Sequence, residues 1–127
     1  MIVGLGTDLV GIERIRQVHA RQGQRFLDRV YTAVEQAYCL QARDPAERLA
    51  ARWAAKEATM KALGTGWTKG VDFRQIAVVS NDGPPGLLLT GTAAVVAAQR
   101  NVTRLHVSLS HSDGMAVATV ILEAPGI

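Results

Sequence analysis

A single cysteine, Cys39, stands among the 127 residues, so no disulfide can close within the chain and no Cys/His cluster of zinc-site spacing exists. Its place in a helical pattern reads as a small buried hydrophobe. Aromatic residues are also scarce, two each of Phe, Tyr and Trp. None alternates with basic residues along a strand, which removes the base-stacking signature of single-strand nucleic-acid binders. No apolar run approaches the roughly 18 to 20 residues of a membrane span, and no charged leader with a cleavable apolar segment opens the chain. A cytoplasmic protein without a membrane partner is the expectation. The Walker glycine loop and the Gly-x-Ser-x-Gly elbow are missing, and Gly4-x-Gly6 lacks the third glycine of the dinucleotide fingerprint. There is no internal repeat, linker or low-complexity tract.

What is present describes an ordinary globular chain, 48% hydrophobic and 20% charged. One domain over residues 1–127 is expected, large enough for a core but short for enclosing a large substrate, so a site shared between subunits is in view. The net charge of +3 and pI near 9.5 suit an acidic partner: nucleic acid, an acidic protein or a polyphosphate ligand.

Residues 2–10 read as a strand whose glycines admit close backbone approach. Asp8 interrupts its apolar run, as a turn or cap residue or as an acid with a partner elsewhere. From Ile12 the pattern is helical, with Ile12, Ile15 and Val18 on one stripe, until Gly23 ends or kinks it. Five arginines, 14, 16, 21, 25 and 29, crowd this region against Glu13 and Asp28. A solvated helix face explains them, although arginine also favours carboxylate or phosphate recognition. Thr32 to Glu35 has the form of a capping box opening a helix to about residue 42. After residue 66, residues 71–79 and 87–90 read as a hairpin, with Asn81-Asp82-Gly83 and Pro84-Pro85-Gly86 between them. A helix over 92–100, an alternating strand over 105–110, a turn over 110–114 holding His111, and a last strand over 115–122 complete the chain. His106 and His19 have no special setting. The fold class is therefore α+β, with helices in the N-terminal half packed on an antiparallel sheet made from the first strand and the second half.

The best-specified element is the helix over 45–63. Asp44, Pro45 and Glu47 open it, and Gly64 closes it. Leu49, Trp53, Met60 and Leu63 form its apolar stripe, and Glu57 with Lys61 flanks that stripe beside Ala50 and Ala54. The plain reading of Glu57 and Lys61 is an exposed i,i+4 ion pair worth about 0.2 to 0.5 kcal/mol. The other is a pair of charges reserved for chemistry at the edge of an apolar surface.

Three segments decide between them. Gly4-Leu5-Gly6-Thr7-Asp8-Leu9-Val10-x-Ile12, then Arg52-Trp53-Ala54-Ala55-Lys56-Glu57-Ala58-x-x-Lys61-Ala62-x-Gly64-Thr65-Gly66, then Ser108-Leu109-Ser110-His111-Ser112 resemble the bacterial holo-[acyl-carrier-protein] synthases of the 4′-phosphopantetheinyl transferase superfamily. They do so in order and spacing over essentially the whole chain; Trp53 stands where the family usually has phenylalanine. The resemblance implies the 4′-phosphopantetheinyl transferase fold and transfer of the phosphopantetheine arm of coenzyme A to a serine of apo acyl carrier protein, releasing adenosine 3′,5′-bisphosphate. It implies Asp8 and Glu57 as Mg²⁺ ligands, Lys61 on the phosphates, and Glu57 or a metal-bound water as the base. Gly64, Gly66, His111 and Arg52 are implied as further coenzyme A contacts. Arg14, Arg21 and Arg25 are expected to dock the acidic carrier protein, and the short members imply a homotrimer with active sites between subunits. The alternative is a basic nucleic-acid-binding module without catalysis, which the aromatic-poor composition does not favour.

Overall fold

Glycine at positions 4 and 6 lets a helix lie directly on the first strand. In the computed structural model, which describes residues 1–66, 70–80 and 83–126, β1 (Ile2–Gly11) crosses α4 (Ala46–Leu63) at these two residues. A Cβ on Gly6 would fall 1.9 Å from the Ala58 carbonyl oxygen, and one on Gly4 would fall 2.4 Å from that of Ala62. No side chain larger than hydrogen fits there without parting the layers. Small residues continue the contact on the partner strand, where Ala116 and Ala118 are fully buried.

Between β1 and α4 run α1 (Ile12–Gln22), α2 (Gln24–Val30) and α3 (Ala33–Leu40). Gly23 breaks α1 from α2 with a φ of +56°, as its position implied. Thr32 caps α3 reciprocally with Glu35, so the capping box is realised. The Asp44 carboxylate accepts from the Ala46 backbone N–H at 3.2 Å, and Pro45 already has helical angles, φ −75° and ψ −6°. Beyond α4 come β2 (Ile76–Val79), β3 (Gly86–Leu89), α5 (Gly91–Gln99), β4 (Arg104–Ser112) and β5 (Met115–Glu123). β1, β5 and β4 form an antiparallel sheet with β5 in the middle. Its inner rows, Gly4 to Val10 in even numbers and Ala116 to Leu122, face α4, which completes the α+β arrangement.

Three expectations need correcting. The helix over 46–63 has no single apolar stripe: it is buried nearly all round, Ala50, Ala54, Ala55 and Ala58 included, because the sheet covers one side and α1 to α3 with β2 the other. Residues 71–79 are not one strand, since Asp72 caps a 3-10 turn over Phe73–Gln75 by accepting from the Arg74 N–H. The resulting β2–β3 hairpin is a separate two-stranded sheet, and its expected turn residues 81 and 82 lie outside the described residues. His111 lies on β4 rather than in the turn, which tightens to Asp113 and Gly114, both at positive φ.

Candidate functional site

The crossing of β1 and α4 gathers the charges that the two elements did not need for folding. Asp8 is on the inner face of β1, two residues past the Gly6 contact, with 16% of its side chain exposed. Lys61, in the last turn of α4 and half exposed, reaches across: its Nζ lies 3.0 Å from Asp8 Oδ1 and donates to the Thr7 carbonyl at 3.0 Å. Glu57, partly buried, precedes Lys61 by one turn and stands next to Ala58, whose carbonyl meets Gly6. Lys61 thus has a carboxylate partner on the strand, Asp8, which the plain reading of an i,i+4 pair within the helix did not include. Asp8 and Lys61 meet across the two elements and Glu57 stands one helical turn from Lys61, a donor set of hard oxygens beside a cation suited to phosphate. Among the described residues no group of three His, Cys, Asp or Glu converges, so any cation here would complete its shell with water and substrate oxygens.

The other expected residues surround this centre at a distance. Gly64 ends α4 in the left-handed region at φ +77°, and Gly66 follows at φ +55°. Both are exposed, and a Cβ on either would meet nothing within 4 Å, so their glycine character serves backbone conformation and leaves open surface. Arg52 is not brought to Asp8. Its guanidinium, buried, lies over the Tyr38 ring at 4.3 Å beside that of Arg48, and it lines a small cleft with Glu35, Val78 and Ser80. His111 pairs with Glu47 at 3.1 Å, in a wider cleft with Arg16, Arg48 and Asp113. Among the described residues neither touches Asp8 or Lys61 within one chain.

Arg14, Arg21 and Arg25 are exposed and make no ion pair among the described residues, whereas Arg16 is held by Glu13 and Asp44, and Arg29 by Gln22. Gln22 is neutral and leaves the Arg29 charge intact, so among the described residues Arg16 alone of the five is offset by carboxylates and four outward charges stand on α1 and α2. Between these helices, α4 and residues 71–74 opens a mainly apolar cavity of about 500 Å³, walled by Val18, Phe26, Trp53, Met60 and Phe73 and lined also by Arg29. Trp53 stacks on Phe73 at 4.8 Å and tilts against Phe26 at 6.1 Å. Trp53 and Met60, which wall this cavity, lie at i−4 and i+3 from Glu57 on α4.

Sequence reasoning missed Lys56 and Glu35. Lys56 is wholly buried on α4, and its Nζ lies 2.7 Å from Glu35 Oε1. Burial pulls its ammonium below the ordinary lysine range, opposed by Glu35. The available signal was a lysine within an alanine-rich arc of the helix, but its partner is 21 residues away and had been given to a cap.

The family model of the 4′-phosphopantetheinyl transferase superfamily matches residues 4–120. A holo-[acyl-carrier-protein] synthase of Anaeromyxobacter dehalogenans is 46% identical over 129 residues, covering 99% of each chain. The crystal structure of a holo-[acyl-carrier-protein] synthase from Neisseria meningitidis superposes with a TM-score of 0.88 at 35% identity, over 97% of this chain and 99% of that one. A Bacillus anthracis holo-(acyl-carrier-protein) synthase in complex with coenzyme A (3′,5′-ADP) gives a TM-score of 0.81 at 35% identity, over 98% and 99%.

Proposed function

Because the chain belongs to the 4′-phosphopantetheinyl transferase superfamily, among the holo-[acyl-carrier-protein] synthases, we propose that the β1–α4 crossing is where it moves the 4′-phosphopantetheine arm of coenzyme A onto a carrier-protein serine. The observation that carries this is the reach of Lys61 from the helix to Asp8 on the strand, one turn from Glu57.

The serine oxygen of the apo carrier attacks the phosphorus that bears the pantetheine. A new P–O bond forms to the serine, the P–O bond to the nucleotide half breaks, and adenosine 3′,5′-bisphosphate leaves with the electron pair. Lys61 binds the diphosphate as a point charge and offsets the negative charge that grows on the leaving oxygen. Glu57 takes the serine proton, with water as the other acceptor the site allows. Asp8 and Glu57 would hold Mg²⁺, whose chemistry when bound is neutralisation of the diphosphate. Gly64 and Gly66 leave room for the nucleotide backbone, and Arg52 and His111 carry positive or switchable charge for its phosphates.

Arg52 and His111 lie apart from Asp8 within one chain, and a site formed between subunits accounts for their roles. A homotrimer with shared sites is supported further by the outer face of the three-stranded sheet. There Leu5 and Leu9 are more than 60% exposed and stand in register with Ile121 and Val117 of β5. An uncovered apolar sheet face is a surface for a second copy of the chain. No described helix is long and apolar enough to cross a membrane, and a cytoplasmic enzyme acting on a cytoplasmic carrier is the reading we adopt.

The experiment is the transfer with and without metal. With coenzyme A, Mg²⁺ and an apo acyl carrier protein, mass spectrometry should find the phosphopantetheine adduct on the carrier, and excess EDTA should stop its formation until Mg²⁺ is restored. Transfer that persists undiminished in EDTA would remove the metal from the mechanism.

A further inference from the structure

Lys56 and Glu35 take no part in the transfer just described, yet they form a wholly buried ion pair in the middle of the chain. The Lys56 ammonium donates to Glu35 Oε1 at 2.7 Å and to the carbonyls of Phe73 at 3.0 Å and Ile76 at 2.6 Å. Glu35 accepts from the Thr32 N–H at 2.9 Å on Oε1 and from the Val78 N–H at 2.9 Å on Oε2. All three ammonium hydrogens are used, and both carboxylate oxygens accept. A buried pair of this kind is a poor source of stability, because two apolar side chains of like volume serve as well or better. What distinguishes it is where its bonds end. Phe73, Ile76 and Val78 all belong to the short stretch that leads into the β2–β3 hairpin, and a two-stranded hairpin does not fix its own position.

That stretch walls two separate clefts. At one end Phe73 stacks on Trp53, one turn before Glu57, and walls the apolar cavity. At the other, Val78, Val79 and Ser80 close the small cleft that holds the Arg52 guanidinium. Lys56 and Glu57 are consecutive, about 100° apart around the helix, so α4 carries the reactive carboxylate on one side and the anchor of the opposite wall on another.

We propose that Lys56 and Glu35 are positioning residues of the transferase, holding residues 73–78 against α4 so that the two clefts these residues wall, one beside Trp53 and one around Arg52, keep the shape that admits coenzyme A. They set the affinity for coenzyme A without touching it, and the metal and phosphate centre at the β1–α4 crossing does not depend on them. This rests on the transferase reading above. Steady-state kinetics of the full-length Lys56→Met and Glu35→Gln variants, with carrier protein and Mg²⁺ saturating, test it. The KM for coenzyme A should rise roughly ten-fold in Lys56→Met and less in Glu35→Gln, with kcat within about two-fold of the unaltered chain. Should Lys56→Met fail to fold at the assay temperature, Glu35→Gln carries the test, because it keeps the volume and one acceptor. A lowered melting temperature with an unchanged KM would reduce the pair to packing and overturn the proposal. So would a reduced kcat at unchanged KM, which would place its effect on the reacting groups. An unaltered chain that transfers nothing would instead refute the transferase reading.

Discussion

Cys39 illustrates at residue scale how burial alone sets chemistry. It is wholly buried, and desolvation pushes its thiol from 9.0 up to about 11. Above pH 9 the unfolded chain gives up this proton while the folded chain keeps it, so folding stability drains away between pH 9 and 11. Tyr31, raised by the same cause, acts in the same direction at higher pH, and Lys56, lowered by burial, acts in the opposite one. Comparing Cys39→Ala with the unaltered chain isolates the thiol. The variant's melting temperature should fall less steeply over that range, by the equivalent of up to about 3 kcal/mol, and identical slopes would show that the thiol titrates normally. The sequence also made some residues legible and others not. Gly4 and Gly6 were readable as points of close approach because nothing else suits glycine in a strand. Asp8, Glu57 and Lys61 were readable from charge set against apolar neighbours, together with the resemblance. Lys56 was not, because only the tertiary fold brings Glu35 and two backbone carbonyls, of Phe73 and Ile76, around it.

Helix termini were legible because their signals are local: Thr32 with Glu35, Asp44 before Pro45, and Gly23 and Gly64 at positive φ. The 3-10 turn over Phe73–Gln75 was not, since its apolar residues also fit a strand and only the Asp72 cap bends them out of it. The long helix was misjudged for a related reason, as alanines carry no sign of which side is covered. The first helix is where element-scale charge matters most. With Arg16 offset by carboxylates, Arg14, Arg21, Arg25 and Arg29 keep outward charge on α1 and α2, and Arg29 lines the apolar cavity. That surface fits an acidic carrier protein, whose approach it would steer. Replacing Arg14 and Arg21 together by Glu should raise the KM for the carrier roughly ten-fold at low salt and flatten the salt dependence, while the KM for coenzyme A stays put. An unchanged carrier KM at low salt would take the docking role from this helix; loss of RNA or DNA binding with carrier kinetics indifferent would favour the nucleic-acid alternative.

Over the whole molecule, one sheet divides the labour. Its inner face packs on α4 through glycine and alanine and so brings Asp8 to Lys61 and the turn that carries Glu57, while its outer face leaves Leu5 and Leu9 exposed, the surface proposed above for a second copy. Fold class and the two hairpins were legible from alternation and turn chemistry, whereas the pairing of β1 with β5 and the separation of β2–β3 into its own sheet depend on contacts far apart in the chain. The account stands on the carboxylates at the crossing acting as ligands and base rather than as surface charge. The most direct measurement is phosphopantetheine transfer to an apo carrier by Asp8→Ala and Glu57→Gln, each shown by light scattering and circular dichroism to keep the mass and fold of the unaltered chain. The account predicts that each loses transfer by about 10² or more while remaining folded, since each substitution removes an oxygen ligand and no core volume. Turnover within a few-fold of the unaltered chain in either variant would contradict it.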